Sequence, residues 1–203
     1  MTAGRTFLVR HGRTAWNADG RFRGRSDVPL DERGLAEAAR AAARLVRERP
    51  AVLATSPLRR ALQTAEVIAA ACGLEPVVHD GLVDLDHGEW TGLSRAEAEA
   101  RDPDAFARFR GAPFEARPPG GEELRSVLAR TRRALEELMA ERPGAAIAIV
   151  SHEIPIRLLL GELLGIPGEA IWRLDVPTGS VSVLEAAGGP AGEIRVVEIG
   201  AIG

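Results

Sequence analysis

The chain has 203 residues, 45% hydrophobic and 27% charged, a size and balance that suit one compact domain and exclude disordered, collagenous and coiled-coil classes. All 26 basic residues are arginine, lysine being absent. Against 29 acidic residues they leave a formal charge of −3, so bulk charge argues for neither a nucleic-acid nor a membrane partner.

The first eleven residues hold too short an apolar core for a signal peptide, and no apolar run is long enough to span a bilayer, so a cytoplasmic protein is expected. Phe7-Leu8-Val9 reads as a short buried strand that breaks into Arg10-His11-Gly12-Arg13-Thr14. After a Gly/Arg-rich loop, Asp31 to Arg49 carries Leu35, Ala38, Ala39, Ala42, Leu45 and Val46 at helical spacing, and Pro50 stops it. A strand at 52–55 follows. Ser56 as N-cap and Pro57 at the first helical position then open a helix that ends at Gly73. Near its end lies the single Cys72, which has no partner for an internal disulfide and reads as a buried helix residue.

Pro76-Val77-Val78 predicts another strand, and 81–92 a loop holding Asp84, Asp86, His87, Glu89 and Trp90. Short helices are expected at 94–101, where Ser94 and Glu97 form a capping box, and at 103–110. The Pro/Gly-rich residues 111–121 read as a lid-like or connecting loop within the domain. An amphipathic helix at about 122–141 leads to a strand at 145–150, buried on both faces and therefore parallel, which ends in Ser151-His152-Glu153. A helix near 155–164 and two strands at 181–184 and 194–199, joined through the turn signal Gly188-Gly189-Pro190, complete the chain. The expected architecture is α/β. It is a single domain over 1–203 with a mainly parallel sheet, helices on both faces and an antiparallel C-terminal edge.

In such chains ligands sit beyond the carboxyl ends of the parallel strands. Arg10-His11, Ser56 to Arg60 and Ser151-His152 fall at three such ends, and the loop with Asp84 follows a fourth strand. Guanidinium forks and a helix start suit phosphate oxygens, an imidazole between them can act as nucleophile, and a carboxylic acid can protonate a leaving alcohol. This composition predicts phosphoryl chemistry with the positive charge supplied by side chains, so neither a metal nor a cofactor is required. His79 and His87 read as ordinary surface or loop residues. Arg13, Arg21, Arg25 and Arg59 are as consistent with solvation as with function, and Trp16 and Trp90 either wall the pocket or pack beneath it.

The run Leu8-Val9-Arg10-His11-Gly12-Arg13-Thr14-Ala15-Trp16-Asn17, with Gly20 to Gly24 and Asp27 to Leu30, resembles the opening motif of the histidine phosphatase superfamily, the phosphoglycerate mutase-like fold. Ser56 to Ala61, the segment 82–92, Gly120-Gly121-Glu122 and Val150-Ser151-His152 resemble its later motifs, in order. The resemblance implies that His11 becomes phosphohistidine, that Arg10, Arg60 and His152 form the phosphate pocket, and that Asp84 is the general acid. It also places Thr14, Asn17, Arg23 and Gly24 near the substrate.

This chain departs from that pattern at three places, one of them Thr91, where many relatives have a second Glu. Asp84 stands where most relatives have Glu, which sets the carboxyl group back by about 1.5 Å; Glu89 is the alternate acid and Asp86 a weaker one. Glu153 replaces a small residue beside His152, where it could raise the imidazole's proton affinity or discriminate against bulky or anionic substrates. The expected function is hydrolysis of a small-molecule phosphate ester. The alternatives are a phosphoglycerate mutase and a phospho-ligand-binding protein that has lost catalysis. A homodimer through a sheet edge is expected by analogy.

Overall fold

The computed structural model describes residues 4–186 and 193–202. Six strands form one sheet: β1 (Arg5–Arg10), β2 (Val52–Thr55), β3 (Pro76–Val78), β4 (Ile147–Ser151), β5 (Val181–Ala186) and β6 (Ile194–Ala201), in the order β3-β2-β4-β1-β5-β6. The first four are mutually parallel, β5 adds antiparallel to β1, and β6 adds antiparallel to β5 at the edge. The expected turn signal Gly188-Gly189-Pro190 lies outside the described residues.

Strand alternation explains why the sheet is covered on both sides. Phe7, Val9, Ala148 and Val150 face one way, onto α2 (Glu32–Glu48) and α3 (Arg59–Cys72). Leu8, Ile147 and Ile149 face the other, onto α6 (Leu124–Glu141) and α7 (Glu153–Leu163). A third apolar cluster joins Trp90, Phe106, Phe109, Ile154 and Ile171. It packs α4 (Arg95–Arg101), α5 (Pro103–Gly111) and the 3-10 turns η2 (Gly88–Trp90) and η3 (Gly168–Arg173) over the carboxyl ends of the strands. The remaining pieces are α1 (Ala15–Ala18) and the turn η1 (Asp80–Leu82). No helix among the described residues is long and apolar enough to cross a membrane.

Four local expectations change. The buried stripe of α2 is Gly34, Glu37, Ala38, Ala41, Ala42 and Leu45, while Leu35 and Val46 stay 45% and 46% exposed. The inner face is the small-residue one because α2 lies against backbone: a Cβ on Gly34 would meet Arg13 O at 2.0 Å. Secondly, α3 starts after Leu58, and Ser56 is not its cap. Thirdly, Glu122 precedes α6 instead of opening it. Lastly, Cys72 is only partly buried, at the last helical position before the left-handed Gly73.

Candidate active site

The carboxyl end of β1 sets the first two side chains. Arg10 N donates to Ser180 O and His11 N to Ser151 O, each at 3.0 Å, so this turn is fixed from both neighbouring strands. The His11 ring is fully buried, with Nδ1 2.7 Å from Gly12 O. A carbonyl only accepts, so Nδ1 carries the proton and Nε2 presents its lone pair as an acceptor. Arg60, in the first turn of α3, donates through Nε to His11 Nε2 and His152 Nδ1, both at 3.2 Å. His152 must then be protonated at Nε2, which donates to Ser56 Oγ at 2.7 Å. The hydroxyl expected to cap α3 therefore orients an imidazole instead.

Arg60 also ties this cluster to the acid. Its Nη2 donates to Asp84 Oδ2 at 3.0 Å and to Gly24 O at 2.8 Å, and its Nη1 to Ser26 O at 2.8 Å. The carbonyl at Gly24 requires a left-handed turn, φ +51, which suits glycine. The loop carrying Asp84 is held from α6, where Arg130 donates to the carbonyls of Gly81, Val83 and Asp84 and is itself anchored by both Glu122 carboxylate oxygens at 3.0 Å. The Gly120-Gly121-Glu122 motif has a steric reason as well: a Cβ on Gly121 would stand 2.5 Å from Asp86 O.

Burial pushes the imidazoles of His11 and His152 well below the ordinary histidine range, and the Arg60 guanidinium pushes them further. Both are neutral at pH 7. Burial likewise lowers the guanidinium groups of Arg10, Arg23 and Arg60 from their usual value without discharging them. The Nε–H groups of Arg10 and Arg23 are buried and find no acceptor among the described residues, a donor set suited to an anion's oxygens.

Directly above lies a cavity of about 400 Å³ that includes Arg10, Asn17, Arg23 and Asp84 in its lining. His11, Arg60 and His152 sit fully buried beneath it. Of the remaining expected residues, Thr14 and Asn17 bond each other as the capping box of α1, and only Asn17 reaches the cavity. Glu89 is turned outward onto Arg101, with its side chain 57% exposed, and Asp86 accepts from Gly88 N. Trp90 packs beneath the pocket, fully buried among Phe22, Phe106 and Phe109. His87 is buried as well, against Phe22 and not at the surface, and burial lowers its imidazole to about 4.

Glu153 turns away from His152. Its carboxylate lies 2.9 Å from Arg10, 2.7 Å from Arg157 and 3.7 Å from Arg23. Burial alone would raise its pKa, but Arg10, Arg157 and Arg23 together outweigh that and hold it at about 2. Arg110, Arg157 and Trp172 on the cavity wall were not anticipated from the sequence. The one local signal was the spacing of Glu153 and Arg157, one helical turn apart.

The family model for the histidine phosphatase superfamily (branch 1) matches residues 6–198, and the chain belongs to that family. Phosphoserine phosphatase 1 of Hydrogenobacter thermophilus is 36% identical over 177 residues, 87% of this chain and 84% of that protein. A bifunctional protein of Mycobacterium tuberculosis is 37% identical over 97% of this chain, which spans only 54% of that relative's length. Proteins named phosphoglycerate mutase are also among the relatives. Among solved structures, the native mycobacterial glucosyl-3-phosphoglycerate phosphatase superposes with a TM-score of 0.88 at 30% identity, covering 98% of this chain and 99% of its own.

Proposed function

We propose that the protein hydrolyses small phosphomonoesters through a phosphohistidine at His11. The observation that carries this reading is the neutral His11 ring, its Nδ1–H fixed on Gly12 O and its Nε2 lone pair turned toward Arg60 between the two buried arginines. Phosphate oxygens take the donors of Arg10 and Arg60, and Nε2 attacks phosphorus in line. As the N–P bond forms and the P–O bond to the alcohol breaks, Asp84, entering protonated, gives its proton to the departing oxygen. Water then attacks the phosphohistidine, Asp84 takes a proton from it, and phosphate leaves with the His11 lone pair restored. Loss of one charged donor to the transferring group costs several kcal/mol of transition-state stabilisation, on the order of 3.

Phosphate release from an aryl phosphate tests this directly. His11→Ala should lower it more than a hundredfold, and wild-type protein quenched during turnover should carry acid-labile phosphate on His11. Retention of over a hundredth of the activity removes the covalent route. The second reading, a mutase, rests on the relatives of that name and predicts phosphoryl transfer between phosphoglycerates only when a bisphosphoglycerate primer is added. Binding without release in either assay would leave the third reading, a phospho-ligand-binding protein.

The same proposal takes residues 1–203 as one domain working in the cytoplasm, and as a homodimer through a sheet edge. The edge strand β3 supports the last point, since Val77 and Val78 are both more than half exposed. Light scattering that returns the monomer mass removes it.

A further inference from the structure

We infer that Glu153 is a positioning residue for the phosphate site: one oxygen of its carboxylate gathers the guanidinium groups of Arg10 and Arg23 so that their Nε edges are left for the phosphate, and its negative charge keeps the site from retaining the product. The inference rests on the phosphatase reading and deepens it, but its first test is a binding measurement that needs no turnover.

The geometry is shared by the two arginines. Glu153 Oε2 lies 2.9 Å from Arg10 Nη2 and 3.7 Å from Arg23 Nη2. The other terminal nitrogens are held by backbone, Arg10 Nη1 donating to Val176 O and Arg23 Nη1 to Arg21 O. Each guanidinium is thus gripped at its outer end, and in each the Nε–H is buried with no acceptor among the described residues. Two open, buried donors beside one carboxylate oxygen are costly until an anion fills them.

The carboxylate is itself anchored. Its second oxygen accepts from Arg157 Nη2 at 2.7 Å, and Arg157 Nε is fixed on Leu174 O at 2.9 Å. As the first residue of α7, Glu153 also lies where the helix dipole favours negative charge. With its pKa held at about 2, that charge is present throughout the working range of the protein.

Its effect on the site is electrostatic. Burial lowers the Arg10 guanidinium most; among the charged groups Glu153 acts on it most strongly, in the opposite direction, and Arg23 comes next. Among the described residues, Asp84 and Glu153 are the only acidic ones that line the cavity, and Asp84 is committed to Arg60 at 3.0 Å. Without Glu153 the two guanidiniums would meet a phosphate with their charge undiminished. Substrate and product carry the same dianionic group, so tight binding of one is tight binding of the other and gains nothing in turnover. A carboxylate one guanidinium away lowers affinity for both, and lets phosphate leave once the phosphohistidine is hydrolysed.

Calorimetric titration of inorganic phosphate into wild-type, Glu153→Gln and Glu153→Asp protein tests this. Glu153→Gln should bind phosphate about tenfold tighter than wild type, equivalent to about 1.4 kcal/mol, while Glu153→Asp, which keeps the charge, should stay within about threefold of wild type. In aryl phosphate hydrolysis Glu153→Gln should lower KM by a similar factor and lower kcat as well, because release is slower; a residue that only supports the fold would not give that split. Unchanged or weaker phosphate binding by Glu153→Gln overturns the inference, as does tenfold tighter binding by Glu153→Asp. Crystals of the wild type with phosphate need no variant: Glu153 should still hold Arg10 Nη2 while Arg10 Nε donates to a phosphate oxygen, and a carboxylate swung away from Arg10 overturns the inference equally. Absence of hydrolysis by the wild type would count against the phosphatase reading and leave the binding comparison standing.

Discussion

Three imidazoles, His11, His87 and His152, are neutral in the fold because burial, first of all, disfavours their charged forms. In the unfolded chain each titrates near 6.5. As pH falls below that value the unfolded state takes up protons that the folded state refuses, so stability is lost from about pH 6.5 downward, for His87 until about pH 4. His87→Gln should therefore flatten the fall of the urea midpoint between those limits, by at most about 1.4 kcal/mol per pH unit. Parallel curves for mutant and wild type would contradict it. Glu153 acts lower on the scale: its depressed pKa stabilises the fold above about 4.5, and that contribution disappears as pH falls toward 2. The acid assignment has its own readout. Asp84→Asn should slow alkyl phosphates by about 10²–10⁴-fold while slowing aryl phosphates much less, because an aryl oxide needs little protonation; an equal loss on both assigns Asp84 to binding. Glu89→Gln, on an outward side chain, should leave that ratio where it was. That His11, Arg60 and His152 meet beside Arg10 was legible in sequence, because β1, β2 and β4 each break abruptly into the polar segments that carry them. Arg110 and Trp172 were not: helix spacing says nothing about two wall residues 62 positions apart that meet only in three dimensions.

At the scale of elements, the turn that follows His11 depends on how closely α2 approaches it. Gly12 and Gly34 meet backbone to backbone, where a Cβ on either would stand 2.2 Å or less from a carbonyl oxygen. Gly34→Ala should destabilise by about 1–3 kcal/mol and lower turnover as well, since the helix can retreat only by dragging the turn that follows His11. Urea unfolding and aryl phosphate hydrolysis together check it; an unchanged midpoint refutes it. On the opposite side of the sheet, Arg130 is a positioning residue for the segment 81–84. Arg130→Met should reproduce, in weaker form, the leaving-group selectivity of Asp84→Asn, whereas uniform slowing of all esters would mean that it only supports the fold. The same pair of elements explains where sequence reasoning stopped. Periodicity located α2 within a residue at each end, but it favoured Leu35 and Val46 for the inner face because it weighs hydrophobicity, while close backbone approach selects for small size. Ser56 was misread for a related reason: its hydroxyl had two possible acceptors or donors, and the nearer in sequence lost to an imidazole that is distant in sequence.

For the molecule as a whole, both halves of the site hang on one sheet, and heating should accordingly unfold the chain in a single transition, with calorimetric and van't Hoff enthalpies equal. Two resolved transitions would show that the cluster over the strand ends melts separately from the sheet. The strand order has a further consequence, for the chain during its synthesis. Leu8 pairs with Ile149 on one side and Ser182 on the other, so β1 has no neighbour in the sheet until the residues of β4 have been made. At about 5–20 residues per second, Phe7 to Val9 wait on the order of ten to thirty seconds after emerging before β4 is made. During that interval α2, α3, β2 and β3 can begin to pair, but the turn holding Arg10 and His11 has nothing to seat it. The nascent chain carries an unsatisfied, aggregation-prone strand throughout, and the turn with Arg10 and His11 is seated only as one late event, when β4 slides between β1 and β2.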